Sequence, residues 1–229
     1  MKSSNTLRNT LTLLAACGGL ASAATIVQTQ SYAFVPAGSQ TLVFDKFDTL
    51  GGTRTLISVT IQHSLTKKDG SLFVDNDSAT GGTGTITQTA TIVLSGRPMV
   101  DDNGDDLSSK SLTATSTYNA TVGADDGDGA GFQASGPDYD GILFADSTSS
   151  SSDEVGTAFL SSYTGTNTFT LTATGTQGVD VSSISGVAGS FSPASAEGFV
   201  TITYTYVPEP DFTLLGGIGV LLLLRRRNR

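Results

Sequence analysis

Aspartate is the residue type most able to do chemistry in this chain, because it gathers in short runs between apolar segments. The four runs are Asp75-Asn76-Asp77, Asp101-Asp102-Asn103-Gly104-Asp105-Asp106, Asp125-Asp126-Gly127-Asp128-Gly129 and Asp138-Tyr139-Asp140-Gly141. Calcium takes oxygen ligands from carboxylates and carbonyls on flexible loops, and Asp-x-Asn or Asp-x-Asp spacing beside glycine supplies such oxygens. The candidate calcium ligands are Asp101, Asn103 and Asp105 in one run, and Asp125, Asp126 and Asp128 in another.

The same runs have a second interpretation as solvated turns. Asp, Asn and Gly are the commonest turn residues, since they tolerate left-handed backbone and bond to their own main chain. The EF-hand pattern also fails, because no run has a glutamate at its twelfth position. Calcium is therefore the one cofactor that the sequence suggests, with solvated turns as the alternative.

Catalysis has little support in the residues available. His63 is the single histidine, and it falls in phase with Ile57 and Ile61, which predicts a hydrogen-bonded place on an inner strand face. The sequence contains no Gly-x-Ser-x-Gly elbow, and Cys17 is its single cysteine. A glycosidase needs two carboxylates at a fixed separation, usually beside aromatic rings, and Trp is absent. We expect a protein that is not an enzyme.

The elements that would position these residues are β-strands, because apolar residues alternate with threonine. In 112–122, 168–174 and 200–206, the apolar residues share one face and the threonines fill most of the other. Two further inward sets are Ile57, Val59, Ile61 and Leu65, and Ile86, Ala90, Ile92 and Leu94. More strands are predicted at 25–34, 40–47, 71–75 and 156–162.

Segments rich in Gly, Asp and Ser predict loops at 76–84, 95–109, 123–141 and 145–154, and the serine run Ser147 to Ser152 is predicted to be mobile. No amphipathic helix of about ten residues or more is predicted between Ala24 and Tyr206. The expected fold class is all-β. It is one antiparallel, jelly-roll-like β-sandwich, a Thr/Ser-rich domain over residues 24–206, flanked by an N-terminal signal helix and a short C-terminal apolar helix.

The charge of the chain is segregated. Residues 24–206 hold 19 acidic and six basic residues, a net charge of −13. A surface of this sign repels phosphate backbones and anionic lipid headgroups, so nucleic acid is not an expected partner. The same segment has no cysteine, which excludes disulfides and thiolate metal sites within it.

Residues 1–23 have the layout of a secretory signal peptide. Lys2 and Arg8 precede an apolar segment, and Ala21-Ser22-Ala23 forms a small-x-small site, which predicts cleavage between Ala23 and Ala24. Leu14-Ala15-Ala16-Cys17 resembles a bacterial lipobox, which would instead place a lipid on Cys17. The mature protein is expected to be exported.

Residues 207–229 form a tripartite tail. Val207-Pro208-Glu209-Pro210 is followed by an uncharged segment, 212–224, and by the basic tail 225–229, whose arginines are Arg225, Arg226, Arg227 and Arg229. As a helix, the apolar segment would span ~20 Å, which is short for a bilayer core of about 30 Å. A transient membrane anchor is therefore expected, with the arginines on the cytoplasmic side. The prolines of the Pro-Glu-Pro motif prevent a helix from continuing upstream and predict an extended, unpaired strip of chain.

This layout resembles the PEP-CTERM sorting signal of Gram-negative bacteria. The resemblance implies that Pro208, Glu209 and Pro210 are recognised by exosortase, a membrane-embedded cysteine protease and transpeptidase, and that the arginines act as the stop. Members of that family usually accompany exopolysaccharide production and biofilm. The implied localisation is an inner-membrane intermediate reached through the secretion machinery, then the cell surface or extracellular matrix.

The body of the chain is similar to the choice-of-anchor E group of exported β-rich domains. The residues that carry this similarity are Phe44-Asp45-x-Phe47, the strand 55–61 and the strand 200–206, which leads directly into the tail. The group implies no catalytic activity. The expected function is a non-catalytic surface or matrix protein. The alternative is a carbohydrate- or calcium-dependent binding and adhesion module on the same tail, with exopolysaccharide as a partner.

Overall fold

A computed structural model describes residues 22–35, 37–96 and 109–209 of the chain. These residues form an all-β fold of antiparallel strands, as the alternation of apolar residues and threonine predicts. The strands are β1 (Ala24–Phe34), β2 (Gly38–Asp45), β3 (Arg54–Lys68), β4 (Ser71–Asn76), β5 (Gly82–Ser95), β6 (Ser109–Val122), β7 (Tyr139–Leu143), β8 (Ser147–Glu154), β9 (Thr168–Ser182), β10 (Val187–Ser192) and β11 (Ser195–Pro208).

One layer of the sandwich consists of two sheets that meet end to end, and we call the break between them, at residues 69–70 and 193–194, the kink. Its halves have the strand orders β1-β11-β3-β8 and β10-β4-β7. The pairing continues across the kink, because Lys68 pairs with Ser195 while Ser71 pairs with Ser192. The register also continues on the opposite edge of β3 and β4, where Lys67 pairs with Ser147 and Ser71 pairs with Leu143. Thus β3 and β4 together run the whole length of this layer.

The second layer is the four-stranded sheet β2-β9-β5-β6. Its strand β5 has 14 residues and spans ~45 Å at the usual rise per residue. The molecule therefore has two distant ends. We call the end where Ala24 pairs with Tyr206 the tail pole. We call the end where Gly82 pairs with Val122 the acidic pole.

Two apolar clusters fill the sandwich, one for each half of the kinked layer. The larger lies towards the tail pole and includes the aromatic rings of Phe44, Phe47, Tyr163, Phe169 and Tyr204. The smaller lies towards the acidic pole and consists of Leu72, Val74, Ile86, Ala120, Val122 and Phe144. Fully burying an aromatic or aliphatic side chain of this size contributes about 1.5–3 kcal/mol, so both halves have a core of their own.

The outer faces are paired by hydroxyl groups. Threonines meet across neighbouring strands, with Oγ1 atoms 2.9 Å apart in Thr29 and Thr201 and 2.9 Å apart in Thr91 and Thr113. A β-branched residue suits an extended backbone, and its hydroxyl suits the solvated side of the sheet. This arrangement explains why threonine occupies the positions between the buried residues.

The inner face predicted for β3 is wrong at Ile57, because a β-bulge lies there. The register of β3 and β11 shifts between Thr205 and Tyr206, and this leaves Ile57 as the extra residue. Ile57 was predicted to point inwards with Val59, but its side chain is exposed, and Leu56 packs against the core in its place. One inserted residue reverses the alternation of the strand beyond it.

Two predicted element types are wrong. The predicted strand at 156–162 is a 3₁₀ helix, Thr157–Tyr163, that brings Tyr163 into the core. Its neighbouring apolar residues Phe159 and Leu160 both pack against the larger cluster, which a strand of period two would not allow. The predicted loop 145–154 contains β8, and the serine run predicted to be mobile pairs with β3.

Two predicted loops at the acidic pole are shorter in the structure than in the prediction. Strand β5 begins at Gly82, inside the predicted loop 76–84, and β7 begins at Tyr139, inside the predicted loop 123–141. Strand β10, Val187–Ser192, was not predicted, because its apolar residues Val187, Ala188 and Phe191 do not alternate with polar ones. Most of the predicted signal segment, residues 97–108 within the predicted loop 95–109, and the tail from residue 210 onward lie outside the described residues. Within the described ranges, no helix is long and apolar enough to cross a membrane.

Candidate metal centre

The connection between β6 and β7 folds back over the acidic pole. We call residues 123–138 the acidic loop. Its start and end are joined by the Gly123 N–H, which donates to the Pro137 carbonyl at 2.7 Å, and the Asp125 N–H donates to Ser78 O at 2.9 Å. Further along, the Gln133 N–H donates to Oδ2 of Asp75 at 2.6 Å. These bonds fix the loop to β4 and to the turn that follows it.

Aromatic contacts hold the same loop against the sheet. Phe73 and Tyr139 lie on neighbouring strands, and their rings stack with centroids 5.8 Å apart. Phe132 of the acidic loop meets Tyr139 edge-on at 6.0 Å. Leu72 and Val74 point into the core from the same strand, so Phe73 and Asp75 belong to its outer face. The loop covers this face and buries Asp75.

Four aspartates converge within this loop. Asp125, Asp126, Asp128 and Asp138 each offer a carboxylate oxygen, and these oxygens all lie within 4.8 Å of one another. The first three side chains are exposed to solvent, whereas Asp138 is only 1% exposed. We call these four residues the carboxylate cluster.

Backbone hydrogen bonds set the shape of the cluster. The Asp126 N–H donates to Oδ2 of Asp138 at 2.9 Å, and the Asp128 N–H donates to Oδ1 of Asp126 at 3.2 Å. Gly127 has a φ of 85°, a left-handed value that lets the chain wind tightly between the two acidic residues. The Asp-Asp-Gly-Asp order therefore places successive carboxylates on one side of the loop.

The aspartates of the acidic pole have few partners that would offset their negative charge. Oδ1 of Asp138 and Oδ1 of Asp75 are buried and have no hydrogen-bond partner within the described part of the chain. Partial loss of hydration, together with the negative charges of Asp126 and Asp75, raises the pKa of Asp128, although its side chain is still exposed. Both ion pairs of the described residues, Lys68 with Glu197 and Lys110 with Asp153, involve none of these aspartates.

The structure brings together one of the two predicted triplets. Asp125, Asp126 and Asp128 were predicted as ligands, and they lie in the carboxylate cluster. The predicted ligands Asp101, Asn103 and Asp105 lie outside the described residues. Asp138 was not among the predicted ligands, although its run of acidic residues was recognised. Asp138 directly precedes β7, and it reaches the cluster because β7 pairs with β4. A single sequence does not reveal this pairing.

His63 is enclosed by the larger core, as its phase in β3 predicts. The side chain is 1% exposed, and its Nε2 lies 2.9 Å from the Tyr32 hydroxyl, which also donates to Ser64 O at 2.7 Å. Burial lowers the pKa of His63 to about 4, although the nearby Asp153 acts in the opposite direction. The imidazole is therefore neutral at physiological pH and is separated from solvent.

The first residues of the tail belong to the sheet. Val207 pairs with Thr55 and Pro208 with Arg54, and the Glu209 N–H donates to Thr53 O at 2.8 Å. The sequence favours an unpaired, extended strip here; the structure corrects this for residues 207–209. Ala23 and Ala24 of the predicted cleavage site lie at the start of β1. Pro210, the tail arginines and Ala21 lie outside the described residues.

A shallow depression on the tail side of the kink is a weaker site. It has a volume of about 550 Å³ and lies around Gly198, with Ser31, Gln40 and Glu197 in its lining. The carboxylate of Glu197 is already paired with Lys68. The depression therefore offers hydroxyl and amide groups beside the side chains of Tyr32, Ala33 and Phe199, and Glu197 is the one acidic residue in its lining.

Comparisons with known proteins do not identify a family for this chain. No family model matches the chain, and no curated protein matches it. Among solved structures, the VP2 subviral particle of infectious bursal disease virus is similar at 14% identity, over 87% of this chain and 49% of that chain, with a TM-score of 0.15.

The T13 particle of the same virus is similar at 13% identity, over 79% of this chain and 36% of that chain, with a TM-score of 0.17. The chain spans less than half the length of these viral proteins. At such low identity and TM-scores, the likeness has no bearing on function.

Proposed function

We propose that this chain is an exported, non-catalytic surface or matrix protein that its C-terminal tail delivers to an exosortase-type enzyme. The observation that carries the proposal is the placement of the first and last residues of the β-sandwich. Ala24, the predicted mature N-terminus, pairs with Tyr206, and the tail motif begins at the next residue, Val207, in the same strand. A signal peptide before β1 and a sorting tail after β11 would therefore both leave from the tail pole.

The shape of the domain supports display at a surface. Strand β5 alone spans ~45 Å between the poles, so a domain held at the tail pole would present the acidic pole outwards. The strand orders β1-β11-β3-β8 and β2-β9-β5-β6 are those of two interlocking Greek keys, which supports a jelly-roll topology. Threonine on the outer faces and the net negative charge suit a solvated extracellular layer such as exopolysaccharide.

The environment of His63 supports a non-catalytic role. A histidine that acts as a general base must reach the substrate, and its pKa must lie near the working pH. This one is buried against Tyr32, and its pKa lies well below neutrality.

A second role is favoured by the position of the carboxylate cluster. It lies at the pole remote from the tail, where a displayed domain would meet a ligand. A calcium- or carbohydrate-dependent binding module on the same tail would use this position. A glycan array probed with calcium and then with a chelator separates the two roles, because binding that needs calcium would favour the module.

The test of sorting compares processing in two hosts, one with an exosortase and one from which its gene has been deleted. Intact mass should show loss of residues after the motif only in the first host. A variant with Pro208, Glu209 and Pro210 all replaced by alanine should keep its full tail in both hosts. Retention of the tail by the unaltered protein in the exosortase host would overturn the proposal.

A further inference from the structure

We propose that Asp125, Asp126, Asp128 and Asp138 bind one calcium ion at the acidic pole. The argument begins with repulsion, because four carboxylate oxygens lie within 4.8 Å of one another. Ionised carboxylates at this separation repel one another. A divalent cation between the oxygens reverses the sign of the interaction.

The buried member of the cluster gives an independent reason. Asp138 is 1% exposed, and its Oδ2 already accepts the Asp126 N–H, but Oδ1 has no partner in the described residues. A buried carboxylate oxygen without a partner is costly, because it has lost its water and gained nothing in return. The missing partner must be an electron-pair acceptor or a hydrogen-bond donor, and a cation fits the four oxygens together.

The position of that oxygen shows where the ion would lie. A Cβ atom on Gly136 would stand 2.6 Å from Oδ1 of Asp138 and 2.2 Å from Oδ2 of Asp126. The two oxygens therefore converge on one small space that a side chain at residue 136 would fill. Gly136 also has a φ of 89°, which other residues rarely adopt. The unpartnered oxygen is thus aimed into the carboxylate cluster and away from the core.

The donor set selects calcium over other metals. Every side-chain donor is a carboxylate oxygen, and zinc and copper prefer nitrogen or sulfur. Magnesium requires a strict octahedron at short distances, whereas calcium accepts more ligands in irregular geometry on loops such as this one. Three exposed ligands leave coordination positions for water on the outer side.

A second buried carboxylate, Asp75, connects the acidic loop to the sheet. Asp75 is also 1% exposed, and its Oδ1 has no hydrogen-bond partner among the described residues. Its Oδ2 accepts the Gln133 N–H, so it attaches the acidic loop to β4 directly. A bound cation would therefore stabilise the contact between this loop and the sheet.

The test is calorimetry on the full chain, freed of metals by a chelator and titrated with calcium and, separately, with magnesium. We expect one calcium site, with a dissociation constant of about 10⁻⁴ to 10⁻³ M, the range of extracellular modules, and weaker binding of magnesium. Asp128→Asn, at an exposed position, and Asp138→Asn should each weaken calcium binding by roughly tenfold or more. Asp180→Asn is the matched control, because Asp180 is an exposed aspartate of β9 outside the cluster.

Thermal unfolding of each variant in chelator shows whether it is folded, and Asp128→Asn keeps the test valid if Asp138→Asn is not. The proposal is overturned if the unaltered chain binds no calcium up to about 10 mM. It is also overturned if calcium binds with the same affinity to both cluster variants, since the ion would then lie elsewhere. The site does not depend on the sorting tail, so either proposal can fail while the other stands.

Discussion

The backbone N–H of Asp126 donates to Oδ2 of Asp138 at 2.9 Å, while Oδ1 of the same carboxylate is buried with no partner among the described residues. One bond thus holds the buried aspartate against the exposed part of the acidic loop. The other oxygen is left to complete a binding site. The function proposed for the acidic pole depends on this division between the two oxygens of Asp138.

Calcium should stabilise the protein less in mild acid than at neutral pH. The raised pKa of Asp128 means that, without a metal, the folded chain holds a proton here to higher pH than the unfolded chain does. This group therefore reduces stability as the pH rises through its pKa, and calcium, which competes with that proton, offsets the loss. Thermal unfolding with calcium and with chelator, from pH 7 down to about pH 4, measures the difference.

The calcium-dependent shift should shrink steadily on acidification in the unaltered chain, and Asp180→Asn should follow the same curve. In Asp128→Asn, the shift should be small throughout. A shift of equal size at every pH would contradict a site made of these carboxylates.

His63 should make the whole domain less stable in acid. Its pKa is lowered to about 4 in the folded chain, from an ordinary value of 6.5. The unfolded chain therefore takes up a proton first as the pH falls, so stability is full above about pH 6.5 and is lost progressively down to about pH 4. A difference of this size corresponds to about 3 kcal/mol at the acid end.

His63→Phe removes the titrating group and leaves the bond from Tyr32 to Ser64 O in place. Denaturant unfolding at several pH values should show a flatter profile for the variant than for the unaltered chain between about pH 4 and 6.5. Equal slopes in both proteins would show that His63 is not the group responsible.

Gly198 should not tolerate a side chain. A Cβ atom there would come within 1.9 Å of Ser64 O and 2.5 Å of the Tyr32 hydroxyl. Both neighbours are fixed by a hydrogen bond to each other, so Gly198→Ala should cost about 1–3 kcal/mol or more. Gly82→Ala is the matched control, because nothing lies within 4 Å of its Cβ position. Denaturant unfolding of both variants tests this, and equal stabilities would refute it.

The start of the sorting tail should exchange its amide hydrogens slowly. The Glu209 N–H donates to Thr53 O at 2.8 Å, and Val207 pairs with Thr55. Hydrogen exchange followed by mass spectrometry should show protection at residue 209, weaker than at Ile202 in the middle of β11, because strand ends open more often. Exchange at the rate of an unstructured peptide would contradict the pairing of the motif with β3.

Most of the sandwich could be predicted from one sequence, since alternation reports which residues are buried. The inner faces of β5, β6, β9 and β11 follow the predicted pattern. The predictions failed where alternation carries no signal. The serines of β8 are too uniform to show a face, and the bulge beside Ile57 reverses the pattern of β3 within one residue.

The candidate site was predictable only in part. The order Asp125-Asp126-Gly127-Asp128 is a local pattern, and it identified three of the four converging residues. Asp138 enters because the pairing of β4 with β7 returns the end of the acidic loop to its beginning. Long-range pairing of this kind depends on the whole fold, so the buried ligand could be found only from the structure.

The central claim is that the protein is exported and sorted by its tail, and the mass of the mature protein from its native host tests this most directly. The account predicts an N-terminus at Ala24 and a C-terminus that has lost the apolar segment 212–224 and the arginines after it. A chain that still ends at Arg229, or one that begins with a lipid-modified Cys17, would contradict it.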